Sequence, residues 1–193
     1  MPSSSKASTA APGDAPVPPL GELFPFPLDG FQLEAIDALN QGHSVVVSAP
    51  TGSGKTLVGE YAIHRALSHG RKVFYTTPLK ALSNQKLRDF REQFGAERVG
   101  LMTGDLTVNR EARIVVMTTE IFRNMLYAEA DQGDDPLEDV EAVVLDECHY
   151  MNDSQRGTVW EESIIHCPPV VQLVALSATV ANAGQLTDWI ERV

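Results

Sequence analysis

From Val45 onward, the chain alternates between short apolar runs and longer stretches in which apolar residues recur every three or four positions. Short apolar runs bounded by turn residues predict buried strands, and the three-to-four spacing predicts amphipathic helices. Strands are predicted at Val45–Ser48, Lys72–Thr76, Val99–Met102, Ile114–Met117, Val140–Leu145 and Val171–Leu176. Helices are predicted at Lys55–His69, Lys80–Phe94, Glu120–Tyr127, Thr158–His166 and Gln185–Arg192.

These strands are apolar on both faces and are separated by helices, which indicates an α/β fold with a mostly parallel sheet covered on both sides. In the helix Lys80–Phe94, the inner stripe is predicted to be Leu82, Leu87, Phe90 and Phe94. Ligands of such folds bind at the carboxyl ends of the strands. Each chemical candidate below lies directly after a predicted strand, so we expect the candidates to meet at one edge of the sheet.

The most informative motif, A-P-T-G-S-G-K-T at 49–56, directly follows the first predicted strand. Glycines in a turn between a strand and a helix let backbone N–H groups point at phosphate oxygens, and the helix dipole adds positive potential. Lys55 can then reach the β- and γ-phosphates, and Thr56 can offer its hydroxyl to Mg²⁺. Ala49 stands where the usual pattern has its first glycine, at a position that requires a small side chain. The motif predicts a nucleoside triphosphate site.

Two adjacent carboxylates, Asp146 and Glu147, follow the predicted strand Val140–Leu145. Asp146 can hold Mg²⁺ through water, because this ion keeps much of its hydration shell. Glu147 can orient and deprotonate an attacking water. Cys148 and His149 are too few ligands for a zinc site. We interpret His149 as a polar connector beside the nucleotide site.

The net charge of −11 counts against nucleic acid as a partner, but the acids are unevenly distributed. Seven acids and no base lie between Glu129 and Glu141, and without them the net charge would be −4. We interpret this segment as a solvated acidic loop that ATP chemistry does not need. The lack of a basic patch still weakens the case for nucleic acid.

The N-terminal region differs in composition, because Pro, Ala and Ser make up 13 of the 19 residues from Pro2 to Leu20. This predicts a disordered tail over 1–20 and one folded domain over 21–193. Two cysteines provide no disulfide framework, and no apolar run approaches the length of a membrane span. We expect an intracellular, cytoplasmic protein. A plastid location is an alternative, since the tail is Ser-rich and poor in acids although it lacks arginines; the nucleus is another.

The motifs together resemble those of superfamily 2 helicases of the DExH-box class: A-P-T-G-S-G-K-T, then D-E-C-H, then Ser177-Ala178-Thr179. Between them, Thr76–Lys86, Leu101–Asp105 and Val116–Tyr127 are similar to the superkiller and exosome-associated RNA helicases. Upstream, Phe26–Gln32 is similar to the adenine-recognition element of that family. The resemblance implies a RecA-like lobe and covers the chain from about Phe24 to its end. Members usually have Val in place of Cys148, and we expect this difference to have little effect on the mechanism.

The resemblance also implies roles for individual residues. Phe26 would stack on adenine and Gln32 would hydrogen-bond it. The triphosphate would be bound by Thr51, Gly52, Ser53, Gly54, Lys55 and Thr56. A single nucleic-acid strand would be lined, mostly through backbone N–H groups, hydroxyls and helix starts, by Pro78, Lys80, Asn84, Thr103, Gly104, Thr118, Thr119 and Glu120. Coupling between the two sites would fall to His149, Ser177 and Thr179.

Members of this family pair such a lobe with a second RecA-like lobe, which supplies arginines that complete ATP hydrolysis. Only 14 residues follow Thr179, too few for a second lobe. We therefore expect the first lobe of an ATP-dependent RNA helicase, using ATP and Mg²⁺ and nearly inactive as an isolated lobe. The expected partners are single-stranded RNA, the second lobe and RNA-decay or RNA-processing machinery, with no membrane.

Two alternatives stay open from the residues alone. Related DExH proteins that repair DNA share the phosphate-binding motif and the Ser-Ala-Thr, and backbone contacts carry no sequence information. A non-catalytic nucleotide-binding module is the second alternative, against which the intact Lys55, Asp146 and Glu147 argue. A small-molecule kinase is disfavoured because the sequence shows no lid or acceptor site.

Overall fold

The computed structural model describes residues 15–132, 136–149 and 157–178. Within these ranges, only the backbone is described at 128–132 and at 157. The helices are α1 (Leu20–Leu23), α2 (Gly30–Asn40), α3 (Thr56–Ser68), α4 (Lys80–Phe94), α5 (Thr119–Gln132) and α6 (Gly157–Ile165), with a 3₁₀ turn at Ala96–Arg98. The strands are β1 (Val45–Ser48), β2 (Lys72–Thr77), β3 (Val99–Met102), β4 (Thr107–Val108), β5 (Ile114–Thr118), β6 (Val140–Leu145) and β7 (Gln172–Ser177).

The seven strands form one sheet in the order β1-β7-β6-β2-β5-β3-β4. All neighbouring strands are parallel except β3 and β4, which pair antiparallel at the edge. Strands β2, β5, β6 and β7 are almost entirely buried, as expected for strands covered by helices on both faces. The predicted α/β fold is therefore confirmed.

Two apolar layers cover the two faces of the sheet. One layer contains buried residues of α2, α3 and α4, such as Leu39, Ile63 and Phe90. The other contains buried residues of α5 and α6, such as Phe122 and Trp160. With the sheet fixed between these layers, β1, β7, β6 and β2 end side by side, and the predicted chemical residues follow those ends.

Several predicted bounds differ from the structure by one or two residues, and α5 extends well beyond the predicted Glu120–Tyr127. Helix α2 and the edge strand β4 were not predicted. In α4 the buried positions are Ser83, Phe90 and Phe94, whereas Leu82 and Leu87 are half-buried. Ser83 lies inside because its hydroxyl bonds the Thr77 hydroxyl at the end of β2, with 2.7 Å between the oxygens.

The interpretation of 129–141 as a solvated loop is wrong at its C-terminal end. Glu141 lies in β6, is 6% exposed and contacts the side chains of Arg65 and His69. Leu137 is also buried, and the helix before the segment continues to Gln132. The acid count missed these counter-charges because they lie about seventy residues earlier in the chain. Residues 133–135 lie outside the described ranges.

At the N-terminus, Val17 and Leu20 pack against the apolar core, so the contacts of the folded domain begin before the predicted boundary at residue 20. Both side chains are apolar and partly buried against this core. Residues 1–14 of the predicted tail and the predicted helix Gln185–Arg192 lie outside the described ranges. Within those ranges, no helix has the length and apolar character needed to cross a membrane.

Candidate nucleotide and nucleic-acid site

The predicted phosphate loop connects the end of β1 to the start of α3. Gly52 and Gly54 have φ values of +83° and +79°, a left-handed conformation that favours glycine. A Cβ atom on Gly54 would lie 2.8 Å from the Nε2 atom of Gln32. Both glycines are therefore required by the backbone, and the loop has the curled form that exposes N–H groups to an anion.

Gln32 is a structural support of this loop as well as the predicted adenine contact. Its Nε2 donates to the carbonyl oxygen of Gly54 at 2.9 Å, and its Oε1 accepts from the N–H of Asp29 at 2.8 Å. The side chain is only 4% exposed. A carboxamide has two N–H donors and two oxygen lone pairs, so one of each is left after these bonds. Phe26, which precedes it, is 54% exposed.

The donor groups of the loop suit a triphosphate with Mg²⁺. Lys55 is 5% exposed and forms no ion pair with any described residue, so none of the carboxylates in the described part of the chain neutralises its charge. The buried Ser53 hydroxyl has no hydrogen-bond partner in the described part of the chain. Thr56 offers a half-buried hydroxyl at the first position of α3. Buried donors without acceptors are the complement of phosphate oxygens.

Asp146 follows β6 and is held from several sides. Its Oδ2 accepts a hydrogen bond from the Tyr75 hydroxyl at 2.7 Å, and its Oδ1 accepts from the N–H of Glu147 at 2.9 Å. Burial, followed by the nearby Asp146 carboxylate, raises the pKa of Tyr75 well above its ordinary value, so this hydroxyl keeps its proton and remains a donor. Asp146 itself is 5% exposed. The site thus presents a fixed carboxylate oxygen, a ligand that Mg²⁺ prefers.

Glu147 has a φ of +57°, which is uncommon for a residue other than glycine. Its Oε2 lies 3.2 Å from Nδ1 of His149, but the N–H of Ala178 donates to that same nitrogen at 3.3 Å. Nδ1 thus acts as an acceptor in this arrangement, and the buried Oε2 receives no hydrogen bond from the described residues. An unsatisfied carboxylate oxygen is suited to accept a proton from water.

Through this contact, His149 joins the end of β6 to the segment after β7. The carbonyl oxygen of Ser177 accepts the N–H of Ala49 at 3.2 Å, and the Ser48 hydroxyl approaches the Ala178 carbonyl at 3.4 Å. The structure thus places His149 between the end of β6 and the segment after β7, and its coupling role stays a prediction. The first part of the Ser-Ala-Thr motif touches both halves of the nucleotide site, and Thr179 lies outside the described ranges.

Five of the eight predicted strand-binding residues line one pocket of about 450 Å³: Pro78, Lys80, Gly104, Thr118 and Glu120. The pocket also includes Asn124 and Ile121, which the sequence did not single out. Asn84 is exposed on α4 and does not line this pocket, nor do the buried Thr103 and Thr119.

The two buried threonines organise the rim of the pocket. The Thr119 hydroxyl donates to the Thr77 carbonyl at 3.2 Å, and the Thr103 hydroxyl donates to Asp105 at 3.0 Å. Lys80 forms an ion pair with Asp105 at 2.7 Å. The hydrogen bonds from Lys80 and then Thr103 lower the pKa of Asp105, although its carboxylate is exposed. The rim therefore carries Lys80, whose charge is paired with Asp105, and the start of α5.

The glycine-rich loop after β1 carries a lysine that forms no ion pair with any described residue, and an Asp-Glu pair follows β6, two strands away in the sheet. Together they define a P-loop NTPase class of site. The family model described as "DEAD/DEAH box helicase" matches residues 29–186. The chain therefore belongs to the DEAD/DEAH box helicase family.

Curated relatives match over most of this chain but over little of their own length. The chloroplastic DExH-box ATP-dependent RNA helicase DExH15 of Arabidopsis thaliana is 56% identical over 173 residues, which are 89% of this chain and 15% of that protein. The probable helicase HelY of Mycobacterium tuberculosis is 54% identical over 88% of this chain and 18% of its own. The antiviral helicase SKI2 of Saccharomyces cerevisiae is 50% identical over 93% of this chain and 14% of that protein. The chain thus spans about one sixth of these relatives.

Solved structures agree with the fold. The Mycobacterium smegmatis helicase Lhr bound to ssDNA and AMP-PNP is 28% identical, with a TM-score of 0.63 over 82% of this chain and 24% of that chain. The DUF1998 helicase MrfA bound to DNA has a TM-score of 0.71 at 21% identity, over 89% of this chain and 27% of its own. At that identity, the second likeness supports the fold alone.

Proposed function

We propose that this chain is the ATP-binding RecA-like lobe of an ATP-dependent RNA helicase. The observation that carries the proposal is the meeting of the phosphate loop and the Asp146-Glu147 pair at one edge of the sheet, with His149 connecting them to the segment after β7. The three relatives reported above are named as helicases, two of them as DExH-box RNA or antiviral helicases. Family and geometry therefore point to the same chemistry.

In this proposal, the loop residues Thr51–Thr56 bind the triphosphate through backbone N–H groups, and Lys55 pairs with the β- and γ-phosphates. The orphaned hydroxyl of Ser53 gains an acceptor when phosphate binds. Phe26 supplies an exposed aromatic face for the base, and the remaining N–H and lone pair of Gln32 pair with the edge of adenine. Gln32 would thus connect base recognition to the loop that it already supports.

For hydrolysis, Thr56 and Asp146 would hold Mg²⁺, which when bound offsets charge on the phosphate oxygens. Asp146 presents the oxygen lone pairs left over after its bonds to Tyr75 and to the Glu147 N–H. Glu147 accepts the proton of the attacking water at its unsatisfied Oε2. The nearby His149 Nδ1, 3.2 Å from that oxygen, accepts the N–H of Ala178.

The nucleic-acid strand would follow the pocket at the starts of α4 and α5, with Lys80 and Glu120 at its rim. The exposed Asn84 lies four residues after Lys80 on α4 and would meet the strand outside the pocket. The ion pair of Lys80 with Asp105 opens when a phosphate replaces the carboxylate. Thr103, Gly104, Thr118 and Thr119 provide hydroxyls and backbone groups, which contact phosphate and sugar without reading sequence. Ser177 and Thr179 would complete the coupling to the nucleotide.

The expected partners are a second RecA-like lobe and RNA-decay or RNA-processing machinery. Coverage of only 14–18% of the relatives supports the second lobe, since most of those proteins lies outside the match. An arginine supplied across such an interface typically raises the hydrolysis rate by about 10³–10⁵. Cytoplasmic location stays a prediction, because one relative is named as chloroplastic.

A DNA helicase is the second candidate, because the helicase Lhr with the same fold is bound to ssDNA. The higher identity to proteins named as RNA helicases favours RNA. Competition between RNA and DNA strands of equal sequence for binding to the complete protein distinguishes the two. Preferential displacement by DNA would replace the RNA assignment and leave the ATP site unchanged.

Two variants test the nucleotide chemistry. In the complete two-lobed protein, Lys55→Ala removes a charge-assisted contact and should weaken ATP binding by at least about tenfold. In the same protein, Glu147→Gln should preserve binding and slow single-turnover hydrolysis by about 10²–10⁴. Matched controls are Lys72→Ala, which removes a lysine from an ion pair with Glu111, and Glu161→Gln on the exposed side of α6. An unchanged single-turnover rate in Glu147→Gln would remove Glu147 from the proposed role.

A further inference from the structure

A network of buried and half-buried side chains surrounds one oxygen of Asp146. The Tyr75 side chain in β2 is fully buried, and its hydroxyl donates to Asp146 Oδ2 at 2.7 Å. The two residues are 71 positions apart, on strands β2 and β6 that pair directly. Tyr75 is therefore placed by the sheet itself.

Lys86 in α4 is the third member of the network. Its ammonium lies 4.0 Å from the same Oδ2 atom, 5.3 Å from the centre of the Tyr75 ring and 5.6 Å from that of Phe90. A cation over two aromatic faces is attracted to both rings, and its side chain is only 19% exposed. These contacts hold the ammonium near the carboxylate and the ring at once.

Together the contacts fix the orientation of the Asp146 carboxylate. Oδ2 receives the Tyr75 hydroxyl and faces the Lys86 charge, and Oδ1 receives the N–H of Glu147. Rotation of the carboxylate would break hydrogen bonds to both oxygens. A packing role alone would explain the buried Tyr75 ring, which meets Phe90 edge-on at 4.9 Å. It would not explain why the hydroxyl and the ammonium converge on one oxygen.

We propose that Tyr75 and Lys86 are positioning residues, which hold the Asp146 carboxylate in the orientation that Mg²⁺–nucleotide binding requires. The inference rests on the proposed ATP-binding function. Neither residue touches the nucleotide in this scheme; both act through Asp146. Loss of either contact would leave the carboxylate free to rotate, so that Mg²⁺ would improve nucleotide binding less than it does in the unmutated chain.

The test uses Tyr75→Phe, which removes only the hydroxyl, and Lys86→Met, which keeps an unbranched side chain and removes the charge. The matched controls are Tyr61→Phe, whose buried hydroxyl donates to Asn40 at 2.8 Å elsewhere in the fold, and Lys72→Met. The affinity of the full chain and each variant for fluorescent ATP and ADP analogues is measured with Mg²⁺ and with EDTA. Thermal unfolding of each variant reports stability separately.

We expect Tyr75→Phe and Lys86→Met each to reduce the Mg²⁺-dependent gain in affinity by about tenfold. Tyr75→Phe removes a hydrogen bond to the charged Asp146 carboxylate, and Lys86→Met removes the ammonium that faces the same oxygen. Affinity in EDTA should change less than about twofold, both controls should keep the gain, and Lys86→Arg should restore most of it.

The same gain in Tyr75→Phe, Lys86→Met and the unmutated chain would overturn the proposal. An equal loss in the control Tyr61→Phe would also overturn it, by assigning the effect to general stability. Failure of the unmutated chain to bind nucleotide with or without Mg²⁺ would instead refute the proposed function, and this inference with it. Should Tyr75→Phe fold poorly, the comparison of Lys86→Met with Lys86→Arg still decides the outcome.

Discussion

The replacement Arg65→Met tests the charge cluster that Arg65, His69 and Glu141 form at the start of β6. The Glu141 carboxylate is 6% exposed and contacts Arg65 Nε at 3.4 Å and His69 Nδ1 at 2.8 Å. Arg65 also hydrogen-bonds the Gln172 side chain at the start of β7. Methionine keeps much of the aliphatic length of arginine but removes the guanidinium, so the variant leaves a buried carboxylate with one partner fewer.

The expected loss follows from burial. Removal of one partner from a buried ion pair costs about 3–5 kcal/mol, because an uncompensated charge stays behind. The lower end applies here, since His69 still contacts Glu141 and Gln172 keeps its bonds to the carbonyls of Leu39 and His43. For a domain of this size, about 3 kcal/mol corresponds to a fall in Tm of roughly 6–12 °C.

Thermal and urea unfolding followed by circular dichroism measure this loss. The control is Arg98→Met, whose ion pair with Glu97 is exposed and should contribute less than about 1 kcal/mol. The double variant Arg65→Met/Glu141→Leu removes both charges and should recover much of the lost stability. If Arg65→Met lowers Tm no more than Arg98→Met does, the cluster does not stabilise the fold as argued.

Four further predictions concern other parts of the chain. Burial lowers the pKa of His64, so its contribution to stability is complete above the unfolded value of about 6.5 and is lost as pH falls through the lowered folded pKa; His64→Leu should reduce the decline in unfolding free energy between pH 7 and 5, and an unchanged slope would contradict this. Gln32→Ala should erode a preference for ATP over GTP in nucleotide titrations, and equal affinities in the unmutated chain would exclude the preference. Burial raises the pKa of Cys148, so a thiol reagent should modify the half-buried Cys167 first; rapid reaction of both thiols in the folded chain would show otherwise. The chain alone should show almost no RNA-stimulated ATP turnover in a steady-state assay, and robust turnover would refute the need for a second lobe.

The fold was predictable because hydrophobic periodicity is a local signal. The strands Val45–Ser48, Val99–Met102 and Val140–Leu145 and the helix Lys80–Phe94 have their predicted bounds. The edge strand β4 has only two residues and carries no period that a sequence can show. The prediction that Glu141 is solvated was wrong because its partners Arg65 and His69 lie in and directly after α3, and only folding brings them to it.

The placement of the motif residues at one edge of the sheet was predictable, because each motif directly follows a strand. The supports of the site were not, because they connect distant segments. Gln32 was expected to contact adenine, but its bond to Gly54 joins positions 22 apart. Lys86 is the last residue of the stretch Thr76–Lys86, and Tyr75 directly precedes that stretch in a predicted strand. Nothing in their local pattern distinguishes them from residues of a helix surface and a core strand. The pairing of β2 with β6 brings Tyr75 to Asp146, and the packing of α4 on the Tyr75 ring brings Lys86 there.

The end of β2 contacts both the Asp146 side of the site and the helix starts at the proposed nucleic-acid pocket. Tyr75 bonds Asp146 on the nucleotide side, and two residues later the hydroxyl of Thr77 bonds Ser83 in the first turns of α4 at 2.7 Å. The carbonyl of Thr77 accepts the hydroxyl of Thr119 at the start of α5. Both helix starts that rim the pocket proposed for the nucleic-acid strand therefore rest on the strand that contacts the Asp146 carboxylate. Because this strand end is fully buried and closely packed, it cannot shift on one side without moving the contacts on the other.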